Sequence, residues 1–251
     1  MILIIGYKDL IFSRGKRAMK QEELIAPAIY NLTNELEKFS QGTDRTALKW
    51  ENEFGDERSM TYQELVSKAN KFGNVLLKAG LTKGDKVLII MPRLIETYAL
   101  YIALLKAGFI VVPSSDMLRA KDLHYRIKHA EVKAIVCYKD FVFEIEAVQG
   151  AEQCLRYIVG GERNGWISIE KLASSASDQM KTAQTKKDDI AFLSYTSGTT
   201  GQPKAVVHTH AWAFAHLKTA ASSWLSIHEN DLVWATAVSY THLTLPTMAV
   251  V

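Results

Sequence analysis

The spacing of apolar positions changes several times along the chain, and each change predicts an element. From Glu22 onward, Leu24, Ile25, Ala28, Ile29, Leu32 and Leu36 recur at helical spacing, with a break at Pro27. Residues 46–50 read as a strand, and residues 52–58 as a polar turn. Thr61 and Glu64 stand at the T-x-x-E spacing of a capping box, which predicts a helix start. Leu65, Ala69, Phe72, Leu76 and Leu77 then share one face, until Gly80 offers a left-handed cap.

Beyond Gly80 the rhythm differs. Residues 86–91 form a short continuous apolar run, the mark of a strand buried on both faces. Residues 93–107 read as a helix with Leu94, Tyr98, Tyr101, Ile102 and Leu105 inward, closed by Gly108, and 109–113 as the next strand. The alternation continues through a helix at 121–128, a strand at 134–138 and a strand at 157–159. Apolar strands alternating with amphipathic helices predict an α/β fold with a mainly parallel sheet flanked by helices. The Ser- and Lys-rich stretch 173–187 lacks periodicity and reads as a solvated connector, the best internal boundary.

Residues 189–195 read as a further strand and 205–210 as another. Between them lie Thr196, Ser197, Gly198, Thr199, Thr200, Gly201, Gln202, Pro203 and Lys204, with four hydroxyls, two glycines and one lysine. Gly198 and Gly201 let backbone N–H groups converge on a ligand that approaches closely. The four hydroxyls donate to phosphate oxygens, Lys204 adds positive charge, and Pro203 stiffens the exit. The loop reads as a polyphosphate cradle; the competing reading is a plain Ser/Thr/Gly turn. It is not a Walker A loop, because it lacks that spacing and leads into a strand.

Composition narrows the classes. With 251 residues, 48% of them apolar, the chain is long enough to bury a core without metal or disulfide staples. Thirty basic and 27 acidic residues are interspersed, and a net charge of +3 gives no footprint for nucleic acid. Cys137 and Cys154 form no CxxC pair and read as structural thiols. The longest apolar stretch, 99–113, is interrupted by Lys106 and Gly108 and falls short of the ~18 residues of a membrane span. The opening run Met1 to Ile5 precedes its charges and lacks an A-x-A site, unlike a signal peptide. The chain therefore reads as cytoplasmic. Residues 1–18 share no pattern with the segment after them and read as a leader, with Met19 as the start. A short extra strand docked on the domain is the alternative.

The string Tyr195-Thr-Ser-Gly-Thr-Thr-Gly-x-Pro-Lys204 resembles the phosphate-binding signature of the ATP-dependent adenylate-forming superfamily, which includes acyl-CoA synthetases, luciferases and peptide-synthetase adenylation domains. Ala205 departs from the small glycine usual after the lysine. Met60-Thr-Tyr-Gln-Glu-Leu65, Gly84-Asp-Lys-Val87 and Ala103-Leu-Leu-Lys-Ala-Gly108 are similar to further segments of that superfamily, in its order. The resemblance covers about residues 19–237 and is nearest to the short- and medium-chain acyl-CoA synthetases.

That resemblance implies the partial N-terminal domain of the adenylate-forming fold. It also implies activation of a small-molecule carboxylic acid with ATP and Mg2+ to an acyl-adenylate, followed by transfer to coenzyme A. The cradle would serve the β- and γ-phosphates. The family's catalytic residues and its C-terminal lid domain are expected downstream, so no catalytic residue and no metal ligand is assigned within these residues. Residues 238–251 depart from the family pattern and read as a sequencing artefact, with a divergent strand as the alternative. A truncated ligase of this kind is expected to be inactive. The competing functions are an adenylation domain that loads a carrier protein and an inert nucleotide-binding fragment.

Three other groups of residues are read as structural. His208 and His210 would share a strand face, with His216 further on, but no third ligand of fixed spacing makes a metal site. Trp212, Phe214 and Trp224 read as core of the helix after the cradle rather than as a base-stacking platform. Lys181, Lys186 and Lys187 read as a solvated charge cluster.

Overall fold

The computed structural model describes residues 2–5, 20–42, 44–196, 202–227 and 231–234. Its strands are β1 (Ile2–Ile5), β2 (Thr46–Glu51), β3 (Glu57–Thr61), β4 (Lys86–Ile90), β5 (Ile110–Ser114), β6 (Ala134–Tyr138), β7 (Leu155–Val159), β8 (Ile167–Ser168), β9 (Ile190–Thr196), β10 (Lys204–Thr209) and β11 (Leu232–Trp234). Its α-helices are α1 (Asn34–Ser40), α2 (Tyr62–Lys78), α3 (Ile95–Lys106), α4 (Ala120–Ala130), α5 (Val142–Glu146), α6 (Ile169–Ser174) and α7 (His210–His216), the last running on into a π-helical segment, Leu217–Trp224.

One sheet has seven strands in the order β10-β9-β5-β4-β6-β7-β8. Every neighbouring pair is parallel except β9 and β10, which form an antiparallel hairpin at the edge. Along β4 the side chains alternate between two cores. Val87 and Ile89 face α2 and α3, whereas Leu88 and Ile90 face α4 and α5. All four are buried, which is why the run is continuously apolar. Each contributes roughly 1.5–3 kcal/mol of burial relative to exposure. The α3 crossover runs from β4 to β5 over one face and the α4 crossover from β5 to β6 over the other. β4 is therefore the point from which the chain winds both ways, and ligands of such sheets sit at the carboxyl ends of the strands near that point.

A four-stranded sheet, β11-β1-β2-β3, packs beside it, with all three neighbouring pairs antiparallel. Residues 2–5, read from the sequence as leader, are thus placed as a docked strand between β2 and β11. Residues 6–19 and 235–251, which carry the rest of the leader and the tail expectations, lie outside the described residues.

The capping box is present as predicted. The Thr61 hydroxyl accepts from the Glu64 N–H at 3.2 Å, while the Glu64 carboxylate accepts from the Thr61 N–H at 2.8 Å. The α2 helix is fastened to α3 by Glu96, a buried carboxylate that accepts from Arg58 at 2.7 Å and from Lys68 at 2.9 Å. Burial pushes the Glu96 carboxyl up, but the hydrogen bonds from Arg58 and Lys68 outweigh it and hold the group at about 2.

Three sequence expectations need correction. The helical spacing at 22–36 does not give one helix. A 3-10 turn covers Gln21–Leu24, the chain then runs on without a helix, and α1 begins only at Asn34. Pro27 excludes helical backbone before it, and the Asn31 carboxamide competes for backbone, accepting from the Thr33 N–H at 3.0 Å. Residues 52–58 are not all turn, since β3 already begins at Glu57, opposite Glu51. The stretch 173–187 is not a boundary either. It begins inside α6 and its remainder is laced to α2. Asn74 donates to the Ser177 and Gln179 carbonyls at 2.8 and 2.9 Å, and Asn70 donates to that of Asp178 at 2.7 Å. Strands on both sides of it share the seven-stranded sheet.

Candidate active site: the phosphate-loop hairpin

The segment read from the sequence as a polyphosphate cradle joins β9 to β10, at the carboxyl end of β9. Lys204 is registered against Thr196 and Ala205 against Tyr195, so the two ends of the loop stand side by side. Thr196, Gln202 and Lys204 are exposed and Pro203 is half-buried. Ser197, Gly198, Thr199, Thr200 and Gly201 lie outside the described residues. The lysine is thus carried at the mouth of a closed hairpin and is exposed, with no ion pair to another of the described residues.

The base of the loop is clamped from α4. Tyr195 is buried, and its hydroxyl lies 2.7 Å from His129 Nδ1. The Arg126 guanidinium sits 5.2 Å from the centre of the Tyr195 ring, and Tyr125 meets the ring edge-on. Burial pushes the Tyr195 phenol up to about 12, so it remains a neutral hydrogen-bonding group. Sequence reasoning missed these partners, because nothing in the local pattern of α4 announces a contact 66 residues away.

The histidines divide in a way the strand pattern did not foresee. The register shifts between His208 and Thr209, β10 ends, and His210 becomes the first residue of α7 rather than sharing a strand face with His208. His210 is fully buried. His208 and His216 instead lie against Trp212, each with ring centres 4.8 Å apart. Burial lowers both imidazoles, and His216 lowers His208 further. Among the described residues no group of three or more His, Cys, Asp or Glu side chains could hold a metal ion. Of the aromatic residues expected in the core, Phe214 packs edge-on against Tyr30 at 5.3 Å, but Trp224 is 78% exposed. Cys137 and Cys154 are free thiols. No helix among the described residues is long and apolar enough to cross a membrane.

The sequence matches the AMP-binding enzyme family over residues 37–249. The chain belongs to that family. The AMP-binding match extends past residue 237, into the stretch read from the sequence as departing from the family pattern. Over 219 residues the chain is 52% identical to the uncharacterized acyl-CoA ligase YtcI of Bacillus subtilis (strain 168), covering 87% of this chain and 41% of that protein. It is 30% identical over 232 residues to the mitochondrial acyl-coenzyme A synthetase ACSM3 of Homo sapiens, covering 88% and 40%. The chain thus spans about two fifths of the curated relatives it matches. Among solved structures, ATP-bound MatB from Rhodopseudomonas palustris is 30% identical with a TM-score of 0.66, covering 78% of this chain and 38% of that one. The acyl-CoA synthetase of Brucella canis shares the fold, with a TM-score of 0.78 at 22% identity over 90% of this chain and 43% of that one.

Proposed function

We propose that this AMP-binding chain is the phosphate-holding portion of an acyl-CoA ligase that activates a short- or medium-chain carboxylic acid. ATP and coenzyme A are the co-substrates. The observation that carries the reading is the hairpin itself: the signature string closes at the carboxyl edge of a parallel sheet, with Lys204 exposed beside Thr196. In the first step a carboxylate oxygen bonds to the α-phosphorus and the bond to the bridging oxygen breaks, so negative charge collects on the departing pyrophosphate. The loop's N–H groups, the Ser197, Thr199 and Thr200 hydroxyls and the Lys204 ammonium are the donors assigned to stabilise the charge that appears there. Holding the triphosphate extended also keeps the α-phosphorus in line for attack. The thiol of coenzyme A then takes the acyl group and AMP leaves. The names of the two curated relatives support coenzyme A as the acceptor over a carrier protein.

Lys204→Ala, made in the protein extended through its natural reading frame, tests this reading. Pyrophosphate release should fall by about a hundredfold, in line with loss of one preorganised donor, while thermal unfolding stays unchanged because the side chain is exposed. Unchanged kcat/KM for ATP would refute the cradle. Residues 1–251 by themselves are expected to make no thioester. Turnover by this chain matching that of the extended protein would show that the chemistry lies elsewhere.

A further inference from the structure

Among the described residues the β10 strand lies at the margin of the sheet, paired with β9, and Lys204 stands at its first position. Its six residues are all registered against β9, and the pair is tied to the rest of the fold at the far end of β10. There the chain turns into α7, and the His210 N–H donates to the Asp189 carbonyl at 3.1 Å and the Ala211 N–H to that of Lys187 at 2.8 Å. The imidazole makes a further bond. His210 Nδ1 accepts the backbone N–H of Leu32 at 3.2 Å, across 178 residues of sequence. Leu32 belongs to a segment that is itself pinned. Asn31 donates to the Leu105 carbonyl at 2.8 Å, at the end of the α3 crossover, and Tyr30 exchanges hydrogen bonds with Thr185 at 2.9 and 2.8 Å.

We propose that His210 is the positioning residue of the phosphate loop: by accepting from Leu32 it locks the exit of the β9–β10 hairpin to the α3 crossover and so sets where Lys204 stands. The inference rests on the phosphate-binding reading of the hairpin. Because Nδ1 accepts, the ring is the neutral tautomer with its proton on Nε2. Nε2 is buried with no hydrogen-bond partner among the described residues, so the ring is held through Nδ1 alone. Burial pushes the imidazole down to about 4, with the Asp189 carboxylate pulling it up and the Lys83 ammonium pushing it down. These two charges, paired with each other at 2.6 Å, are the ones that bear on the ring. The acceptor is therefore available at neutral pH.

Placement of the acceptor supplies a discriminating series. In His210→Asn the carboxamide oxygen takes the place of Nδ1, in His210→Gln it takes the place of Nε2, and His210→Leu fills the volume with no acceptor. The experiment is calorimetric titration of the 251-residue chain with inorganic pyrophosphate in Mg2+ buffer, alongside thermal unfolding of each variant. The wild type and His210→Asn should bind within about threefold of each other, while His210→Gln and His210→Leu should lose at least about tenfold, a difference of about 1.4 kcal/mol. A general stabilising role would instead rank pyrophosphate affinity with the melting temperature, and that ranking would overturn the proposal. Binding by His210→Leu equal to wild type, with Lys204→Ala defective, overturns the role of His210 and leaves the loop reading standing. Failure of the wild type to bind pyrophosphate overturns the loop reading and the proposal together. A third measurement needs no variant to fold. The 15N spectrum of the wild-type ring should show an unprotonated Nδ1 and a protonated Nε2 at pH 7, and the opposite tautomer would overturn the proposal.

Discussion

At the scale of single residues, buried charge is where this fold is most exposed to solution conditions. Glu96 serves two cations at once, and its carboxyl is held well below the ordinary 4.5. A depressed carboxyl stabilises the folded state above its unfolded value, and that contribution is lost as pH falls through about 2. Glu96→Gln should therefore lower stability at pH 7 by about 2 kcal/mol, and the difference from wild type should shrink progressively as acid is added from pH 5 downward. Urea unfolding at pH 7 and pH 3 checks the sign. A gap that widened in acid would mean that Glu96 is not the carboxylate being titrated. The Arg58 side of the pair is 44% exposed, so the larger share of the effect is expected from the buried Glu96 and Lys68 contact.

At the scale of elements, the stretch after α6 shows how a polar sequence can be structural. Its backbone carbonyls are held by Asn70 and Asn74 on α2, and Met180 packs so closely on Gly73 that a Cβ there would meet its sulfur. Asn74→Ala should raise the rate of trypsin cleavage after Lys181 several-fold while moving the melting temperature little, since the lost bonds are exposed. Cleavage at the wild-type rate would show that the asparagine is incidental.

The same stretch marks how far the sequence could be read. Strands β4, β5 and β6 were legible as continuous apolar runs, and helices α2 and α4 through a strong period and, for α2, a capping pair, whereas α3 is buried on nearly every face and carries only a weak period. The stretch at 175–187 was not, because carbonyls are bound by distant asparagines and the local composition carries no trace of them. The signature string likewise marked the loop but not its supports. His129 and Arg126 reach its base at Tyr195, and Leu32 reaches His210 beyond the far end of β10, from elements far away in sequence. The Pro27 break was visible, yet its outcome, extended chain rather than two helical halves, depended on Asn31 and on the Ile29–Lys186 bridge.

At the scale of the whole molecule, β10 is the marginal strand of the large sheet among the described residues, with Val206 and Val207 exposed on it. Apolar edge strands invite pairing between copies. The chain should self-associate with rising concentration, and Val207→Lys should reduce this while shifting stability by no more than about 0.5 kcal/mol. Sedimentation velocity decides the matter. Equal association by the variant would place the sticky surface elsewhere, with the exposed Trp224 and Leu225 as the next candidates.

The register between β5 and β9 has a further consequence. Val111 opposite Phe192 is the one registered pair at that seam among the described residues, whereas β4 pairs with β5 through five residues and with β6 through four. A hairpin closes locally and fast, but its docking here requires a strand 76 residues removed from its neighbour, so loop-closure entropy must be met before the β5–β9 seam forms. The hairpin should therefore behave as its own cooperative unit, joining late during folding and detaching first in the native state. Native-state hydrogen exchange would then show amides of β9 and β10 opening at a lower free energy than those of β4 and β6. The element that carries the phosphate loop would be the last to be secured and the first to be released, so anything that grips the loop would also complete the cooperativity of the sheet.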